Sequence, residues 1–196
     1  MEINKYIEVA AGGVSNRGNI CKVSELSKYL KPTLELYRSM YRLDDSAIEH
    51  FQNNRTIRSY DGTFQLDRLT FDIDKGKNTK DKLMNDIRYF LHLLEDKGAD
   101  STIVRVWFSG RGFHVEIPDL YGFGVSKDTP EKVKRTISKE FGTIADNIYD
   151  YARLIRVGYS YNMKSKLYKT PIKTWEVHNL NYDEIMALSN DFIRED

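Results

Sequence analysis

The chain has 196 residues, of which 40% are hydrophobic and 30% charged, and its net charge is +1. This size fits one domain with a sizeable core, and the near-neutral charge excludes a globally basic nucleic-acid binder, so nucleic-acid contacts would need local patches. The single cysteine, Cys21, excludes an intramolecular disulfide and a multi-cysteine zinc site, so we expect no structural zinc. Without a membrane-length apolar run or a signal-peptide pattern in the first residues, we expect a cytoplasmic protein that has no membrane contact.

The first half of the chain predicts one clear strand and one clear helix after a weakly patterned start. Residues 1–22 predict loops or short strands, residues 24–36 predict short helical turns, and Asp44 predicts the start of a helix that ends near Asn53. The apolar run at 69–74 is typical of a strand. From Thr79 to Lys97, apolar residues recur every three or four positions, which predicts an amphipathic helix.

The second half mixes strands with helices. The predicted strands are 102–108, 113–117, 154–158 and 167–177, and the predicted helices are 129–151 and a last one that starts at Asn181. The glycine-rich Ser109–Gly112 joins the first two strands as a hairpin. This mixture predicts an α+β fold with a mainly antiparallel or mixed sheet. We expect one domain over 1–196, with a helical or irregular part at 1–59, a core at 60–178 and a C-terminal helix at 179–196.

Asp72 and Asp74 are the most informative pair in the sequence. On a strand, residues two apart point to the same face, so the two carboxylates would lie side by side while Phe71 and Ile73 face the other way. Carboxylates this close repel each other unless a cation or a proton lies between them. Hard divalent cations such as Mg²⁺ are the obvious partner. The alternative is a strand end with two solvated acids.

The segment Ser109-Gly-Arg111-Gly-Phe-His114 is the second candidate. Two glycines allow the backbone to approach a ligand closely, and the Arg111 guanidinium matches phosphate oxygens. His114 begins the return strand, where the direction of its side chain is fixed. The alternative is a tight hairpin with a surface arginine and a half-buried histidine. Glu116 would share the face of His114 and could orient its imidazole.

Residues 146–169 combine acids, bases and aromatic rings. Asp146 and Asp150 are four apart and would share a face of the helix predicted over 129–151. The basic residues are Arg153, Arg156, Lys164, Lys166 and Lys169, interleaved with Tyr159, Tyr161 and Tyr168. Basic groups neutralise phosphates and aromatic rings stack on bases. The alternative is a solvated hairpin with surface lysines, which we favour for Lys166 and Lys169.

Taken in this order, the Asp-x-Asp strand, the Ser-Gly-x-Gly-x-His turn and an acid ahead of Arg-Leu-Ile-Arg and Ser-x-Asn-x-Lys resemble the archaeo-eukaryotic primase superfamily. The resemblance runs from about Tyr60 to Ile172 and is strongest to the primase-polymerase domains of viruses and plasmids. It implies a catalytic core with an antiparallel or mixed sheet, flanking helices and an RRM-like portion. It also implies a primase or primase-polymerase that makes primers by two-metal phosphoryl transfer.

The resemblance assigns a role to each matching residue. Asp72, Asp74 and Asp146 would be the catalytic acids that bind two Mg²⁺ or Mn²⁺ ions, with Asp150 as the rival of Asp146. The nucleotide-binding residues would be Ser109, Arg111, His114, Arg153, Arg156 and Lys164. The nucleic-acid-binding residues would be Tyr161, Asn162 and Lys166. The implied partners are single-stranded DNA template, nucleoside triphosphates and a replicative helicase, in the host cytoplasm if the protein is viral.

Two other functions compete with this one. The same sheet and basic tract could hold single-stranded nucleic acid without catalysis, as a module of a replication complex. A pure binding surface gains nothing from clustered carboxylates, which repel phosphates unless metal is bound. A metal-dependent nuclease could use the same acids, but the phosphate-binding character of the Ser109–His114 turn argues against it. Many superfamily members carry a zinc-binding Cys/His cluster, and its absence here puts unassisted primer initiation in doubt.

Overall fold

The computed structural model describes residues 4–74, 76, 78–142 and 144–191. Its strands are β1 (Tyr6–Ala11), β2 (Asn19–Lys22), β3 (Leu36–Ser39), β4 (Tyr41–Leu43), β5 (Phe64–Leu66), β6 (Arg68–Ile73), β7 (Arg105–Phe108), β8 (Phe113–Pro118), β9 (Val125–Ser126), β10 (Leu154–Arg156), β11 (Tyr161–Asn162), β12 (Leu167–Tyr168) and β13 (Thr170–Ile172). Its helices are α1 (Ala47–Asn54), α2 (Lys80–Asp96), α3 (Thr129–Phe141), α4 (Thr174–Asn179) and α5 (Tyr182–Ala187), with a 3-10 helix at Val23–Tyr29.

The strands form two main antiparallel sheets and a small hairpin. The first sheet has the order β10-β3-β1-β4-β5-β9, and β2 also pairs with β1. The second sheet has the order β13-β7-β8-β6, and β11 pairs with β12. All of these strand pairs are antiparallel. The chain combines antiparallel sheets with the helices α1 to α5. The predicted α+β fold with an antiparallel sheet is therefore confirmed.

One face of the second sheet packs into the core, which leaves the opposite face for polar residues. The buried side chains of this face include Leu69, Phe71, Ile73, Val106, Phe108, Phe113, Val115 and Ile117. Helix α2 covers the core with the apolar stripe that its sequence predicts, and Thr79 caps its first turn by accepting a hydrogen bond from the Lys82 amide. The rings of Phe71, Phe90 and Phe141 meet with centroids 4.9–5.8 Å apart.

The expectation of a helical or irregular part over 1–59 is wrong, although β1 and β2 agree with the loops or short strands predicted for residues 1–22. Strands β1, β3 and β4 lie in the middle of the first sheet, between β10 and β5. In the sequence, the charged Glu8 interrupts the apolar pattern of β1. In the structure, its side chain is fully buried and pairs with Arg17 at 2.6 Å. Predicted helical turns at 24–36 become the 3-10 helix and then β3, and the first α-helix begins at Ala47 after the N-cap Ser46. Asp44 instead accepts hydrogen bonds from Ser46 and Thr63.

The helix predicted over 129–151 ends ten residues earlier, at Phe141. Beyond Gly142, the chain runs along β6, where Asp146 forms an antiparallel bridge with Asp72. Ile148 and Tyr149 are buried here, and the Tyr149 hydroxyl forms hydrogen bonds with the backbone of Thr70 on β6. The prediction that Asp146 and Asp150 share a helix face is therefore wrong.

The strand predicted over 167–177 is also shorter than expected, because α4 begins at Thr174. The Lys173 amide donates to the Glu176 carboxylate at 2.8 Å, which favours a helix start there. The start of the last predicted helix is confirmed: α5 follows Asn181, whose side chain accepts hydrogen bonds from the Asp183 and Glu184 amides. This helix is shorter than expected, because it ends at Ala187. Residues 192–196 of the predicted C-terminal helix lie outside the described residues. Within the described part of the chain, no helix is long and apolar enough to cross a membrane.

Candidate active site

The register of the second sheet places Asp72 directly opposite His114. Asp72 lies on β6 and pairs with His114 on β8, which in turn pairs with Trp107 on β7. The His114 Nε2 atom is 3.6 Å from the Asp72 Oδ1 atom, too far for a hydrogen bond but close enough for electrostatic contact. Two of the sequence motifs thus meet on the polar face of one sheet.

The glycine-rich turn closes over the end of β6. The Ser109 amide donates to the Gly112 carbonyl at 2.8 Å, and Gly110 has a φ of 92°, which favours glycine. A Cβ atom on Gly112 would lie 2.5 Å from the carbonyl oxygen of Ile73, so only glycine fits there. This close approach places the turn, and Arg111 at its exposed tip, beside Asp74.

The first sheet supplies the opposite wall of a cavity of about 230 Å³. Arg156 on β10 is buried, and its guanidinium donates to the Ser109 carbonyl, which ties this wall to the glycine-rich turn. The cavity is lined by Tyr37, Asp72, Asp74, Ser109, Arg111, His114, Ile148, Arg153, Leu154, Ile155, Arg156 and Asn162. Eight of the residues singled out in the sequence therefore line one cavity, although they come from segments that are far apart in the chain.

The two rival acids have different surroundings. The Asp146 amide donates to the Asp72 carbonyl at 3.0 Å, so Asp146 lies beside Asp72 at the edge of the second sheet. The Asp150 carboxylate accepts a hydrogen bond from Lys134 at 2.6 Å. Neither acid lines the cavity that contains Asp72, and Asp150 lines a neighbouring groove together with Arg17 and Arg153.

The hairpin of β11 and β12 brings only part of the predicted nucleic-acid contacts to the cavity. Asn162 lines the cavity, and its Oδ1 accepts hydrogen bonds from the Lys164 and Ser165 amides at 2.9 and 3.2 Å. The Tyr161 ring packs against Tyr168, with centroids 5.2 Å apart. The side chains of Lys164 and Lys166 are exposed at the hairpin tip and do not line the cavity.

Burial and neighbouring charges set the protonation of the central pair. Burial and, after it, the nearby carboxylates of Asp74 and Asp146 raise the pKa of Asp72 to about 6, against the opposing charges of Arg153 and Lys169. Burial also holds the pKa of His114 well below its ordinary value, and nearby lysine and arginine charges act in the same direction. The imidazole is therefore neutral at physiological pH and can donate one N–H to a ligand.

The donor set suits a hard divalent cation that is also bound by its substrate. The carboxylate of Asp72 is buried beside those of Asp74 and Asp146, and carboxylate oxygens are the ligands that Mg²⁺ and Mn²⁺ prefer. Among the described residues, no three His, Cys, Asp or Glu side chains lie close enough together to enclose a metal by themselves. The residues therefore fit a cation that takes further oxygen ligands from a phosphate group.

Two residues in or next to the cavity were not predicted to belong to the site. Tyr37 lines the cavity from β3, just after the segment 24–36 in which helical turns were predicted. Lys169 was expected to be a surface lysine, but it is 1% exposed and its Nζ atom donates to Glu116 at 3.2 Å. Glu116 thus pairs with Lys169, whereas the sequence suggested that it could orient His114. Burial of a lysine depends on tertiary pairing, which the local pattern does not record.

The sequence matches no family model, and a search of curated proteins likewise gave no match. Comparison with solved structures found similarity to the polymerase domain of Mycobacterium tuberculosis Ligase D in complex with DNA, at 16% sequence identity and a TM-score of 0.48. The aligned region covers 78% of this chain and 58% of that chain. The chemistry of the cavity itself must therefore indicate what the chain does.

Proposed function

We propose that the chain is a nucleotidyltransferase that extends or initiates nucleic-acid strands on a single-stranded template, as a primase or primase-polymerase of the archaeo-eukaryotic type. One observation carries this proposal: two carboxylates and five phosphate-binding side chains line the same cavity. The phosphate-binding side chains are Ser109, Arg111, His114, Arg153 and Arg156. A nucleoside triphosphate with a bound cation needs both kinds of group at once.

Side chains on both walls of the cavity would take part in phosphoryl transfer. This reaction needs little covalent help from protein, but it needs alignment of the phosphates and neutralisation of their charge. Arg153 and Arg156 face the cavity from the first sheet, and Arg111 and the neutral His114 face it from the second. These donors would hold a triphosphate in line between the walls. Asn162, which also lines the cavity, would contact the nucleotide or the template.

Asp72, Asp74 and Asp146 would hold Mg²⁺ or Mn²⁺ together with oxygens of the triphosphate, since these carboxylates do not enclose a metal by themselves. When bound, such ions neutralise phosphate charge and make a 3′-hydroxyl easier to deprotonate. Asp146 is the proposed third acid because its backbone is bonded to Asp72, whereas the Asp150 carboxylate is paired with Lys134. Tyr161, Lys164 and Lys166 on the β11–β12 hairpin would contact nucleic acid outside the cavity, next to Asn162. A replicative helicase stays a proposed partner.

The test is nucleotide incorporation on single-stranded DNA, with and without a primer, using labelled nucleotides and either Mg²⁺ or Mn²⁺. We expect metal-dependent product that falls roughly 100-fold or more in Asp72→Asn, which removes a proposed metal ligand, and in His114→Ala, which removes a proposed phosphate donor. Asp61→Asn is the matched control, since the Asp61 side chain is 88% exposed and lies outside the cavity. Wild-type protein that binds template but extends no primer would identify a non-catalytic binding module instead.

Asp146→Asn and Asp150→Asn separate the two rival acids in the same assay. We expect Asp146→Asn to match the loss seen in Asp72→Asn, whereas Asp150→Asn should retain activity within about twofold, because it breaks only an exposed pair. Circular dichroism and thermal melting would establish that both variants fold. The reverse order of losses would assign the third metal ligand to Asp150.

A further inference from the structure

We infer that Lys169 is a positioning residue of the candidate active site: its buried ammonium joins the strand that carries His114 to the strand that carries Arg156. The inference rests on the proposed function, since it concerns the two walls of the cavity that would hold a triphosphate. Lys169 itself does not line the cavity. It would act through the residues that it holds in place.

The contacts of Lys169 span both sheets. Its Nζ atom donates to the Glu116 carboxylate at 3.2 Å, and to the backbone carbonyl of Arg156 at 2.9 Å. Glu116 lies on β8, an inner strand of the second sheet, two residues after His114. Arg156 lies on β10, the edge strand of the first sheet. One side chain thus connects the strands that supply opposite walls of the cavity.

The backbone and the surroundings fix Lys169 itself. Its amide donates to the Ser160 carbonyl at 3.0 Å, and its carbonyl accepts a hydrogen bond from the Tyr159 amide at 2.7 Å. The ammonium lies 5.2 Å from the centre of the Trp107 ring, at cation–π distance. A buried ammonium that has two acceptors and an aromatic ring around it has little freedom to move. Its position therefore determines where the Arg156 backbone can lie.

Arg156 transmits this restraint to the cavity. Its guanidinium donates to the Ser109 carbonyl in the glycine-rich turn, and its Nη1 atom is buried without a hydrogen-bond partner among the described residues. The Nδ1 atom of His114 is likewise buried and unpartnered among them. A phosphate between these two groups could accept hydrogen bonds from both Arg156 and His114. The distance between these two donors depends on Lys169. The same ammonium adds positive charge near Asp72 and His114.

Two variants test whether Lys169 positions the Arg156 backbone or only neutralises the charge of Glu116. Lys169→Met keeps the length of the side chain but leaves the Glu116 carboxylate without its cation. The double variant Lys169→Met with Glu116→Gln removes both charges, so it should recover the thermal stability that the single variant loses. Lys139→Met is the matched control, because the Lys139 side chain is 83% exposed.

The measurement is the KM for the incoming nucleotide and kcat in primer extension, together with the melting temperature. We expect the double variant to melt near the wild-type temperature yet to keep a KM raised about tenfold or more, since the restraint on Arg156 is still missing. Recovery of both stability and KM in the double variant would overturn the inference and leave Lys169 as a structural charge pair. Wild-type protein that neither binds nucleotide nor extends a primer would overturn the proposed function, and the inference with it.

Discussion

Replacing Tyr149 by phenylalanine would release the segment that carries Asp146 from the edge of β6. Tyr149 is 1% exposed, and its hydroxyl makes two hydrogen bonds with the backbone of Thr70. It donates to the Thr70 carbonyl at 2.6 Å and accepts from the Thr70 amide at 2.8 Å. Because β6 is an edge strand, this hydroxyl satisfies backbone groups that no neighbouring strand pairs.

The magnitude follows from what the substitution leaves behind. Each hydrogen bond contributes about 1 kcal/mol net, and a buried backbone group left unpaired adds a further penalty. Loss of both bonds with Thr70 should therefore lower the free energy of unfolding by about 3 kcal/mol. In a domain of this size, that corresponds to a fall in melting temperature of about 6–12 °C. Phenylalanine fills the same space otherwise, so no large cavity adds to the loss.

Urea unfolding and thermal melting measure this loss, with Tyr151→Phe as the control. Tyr151 is two residues away but 46% exposed, so its substitution should change the unfolding free energy by less than about 0.5 kcal/mol. We also expect Tyr149→Phe to reduce nucleotide incorporation at temperatures where it is still folded, because, among the hydrogen bonds of the described residues, only the Asp146–Asp72 backbone bond then holds the segment that carries Asp146 to β6. A Tyr149→Phe protein as stable as the Tyr151→Phe control would refute the view that this hydroxyl holds the segment against β6.

Asp67 should control stability in acid: burial alone would raise its pKa, but Arg38 and Arg42 outweigh burial and lower it. Ionised Asp67, held by the two arginines, thus stabilises the fold above about pH 4, and this contribution is lost as the pH falls through the lowered folded-state pKa. Asp67→Asn should therefore flatten the acid side of the stability profile measured by urea unfolding. Cys21 should react slowly with iodoacetamide at pH 8 in the folded protein and much faster in urea, because burial raises its pKa to about 11. Gly112→Ala should lower both the melting temperature and nucleotide incorporation, since its Cβ would lie 2.5 Å from the last carbonyl oxygen of β6. An unchanged melting temperature would show that the turn can move away at no cost.

Local patterns predicted the elements that depend mainly on their own residues. Helix α2 was predicted to within a residue at each end, because its apolar stripe and its Thr79 cap are both local. The hairpin around the glycine-rich turn and the Asn181 cap of α5 were predicted for the same reason. The strand pairing that brings Asp72 opposite His114 was not visible in the sequence, although both residues were singled out by their motifs.

The failures share one physical cause: tertiary contacts outweighed local preference. Residues 142–150 have an adequate helix pattern, but docking on the edge of β6 buries Ile148 and Tyr149 and satisfies backbone groups of that strand. In β1, the charge of Glu8 broke the apolar pattern, and only its pairing with Arg17 explains the burial. Lys169 follows the same rule, because its acceptors come from two other parts of the chain.

The candidate site lies at the seam between the two sheets, and neither sheet alone could form it. The contacts that close the seam reach from side chains to backbone carbonyls: Arg156 to the Ser109 carbonyl and Lys169 to the Arg156 carbonyl. Every residue offers a backbone carbonyl, so the accepting positions tolerate substitution as long as the backbone keeps its path. The donating side chains cannot be replaced as freely, because each must have the length to reach its carbonyl and a polar group to donate. Substitution of these donors should therefore separate the walls of the cavity while the carboxylates of the site stay intact.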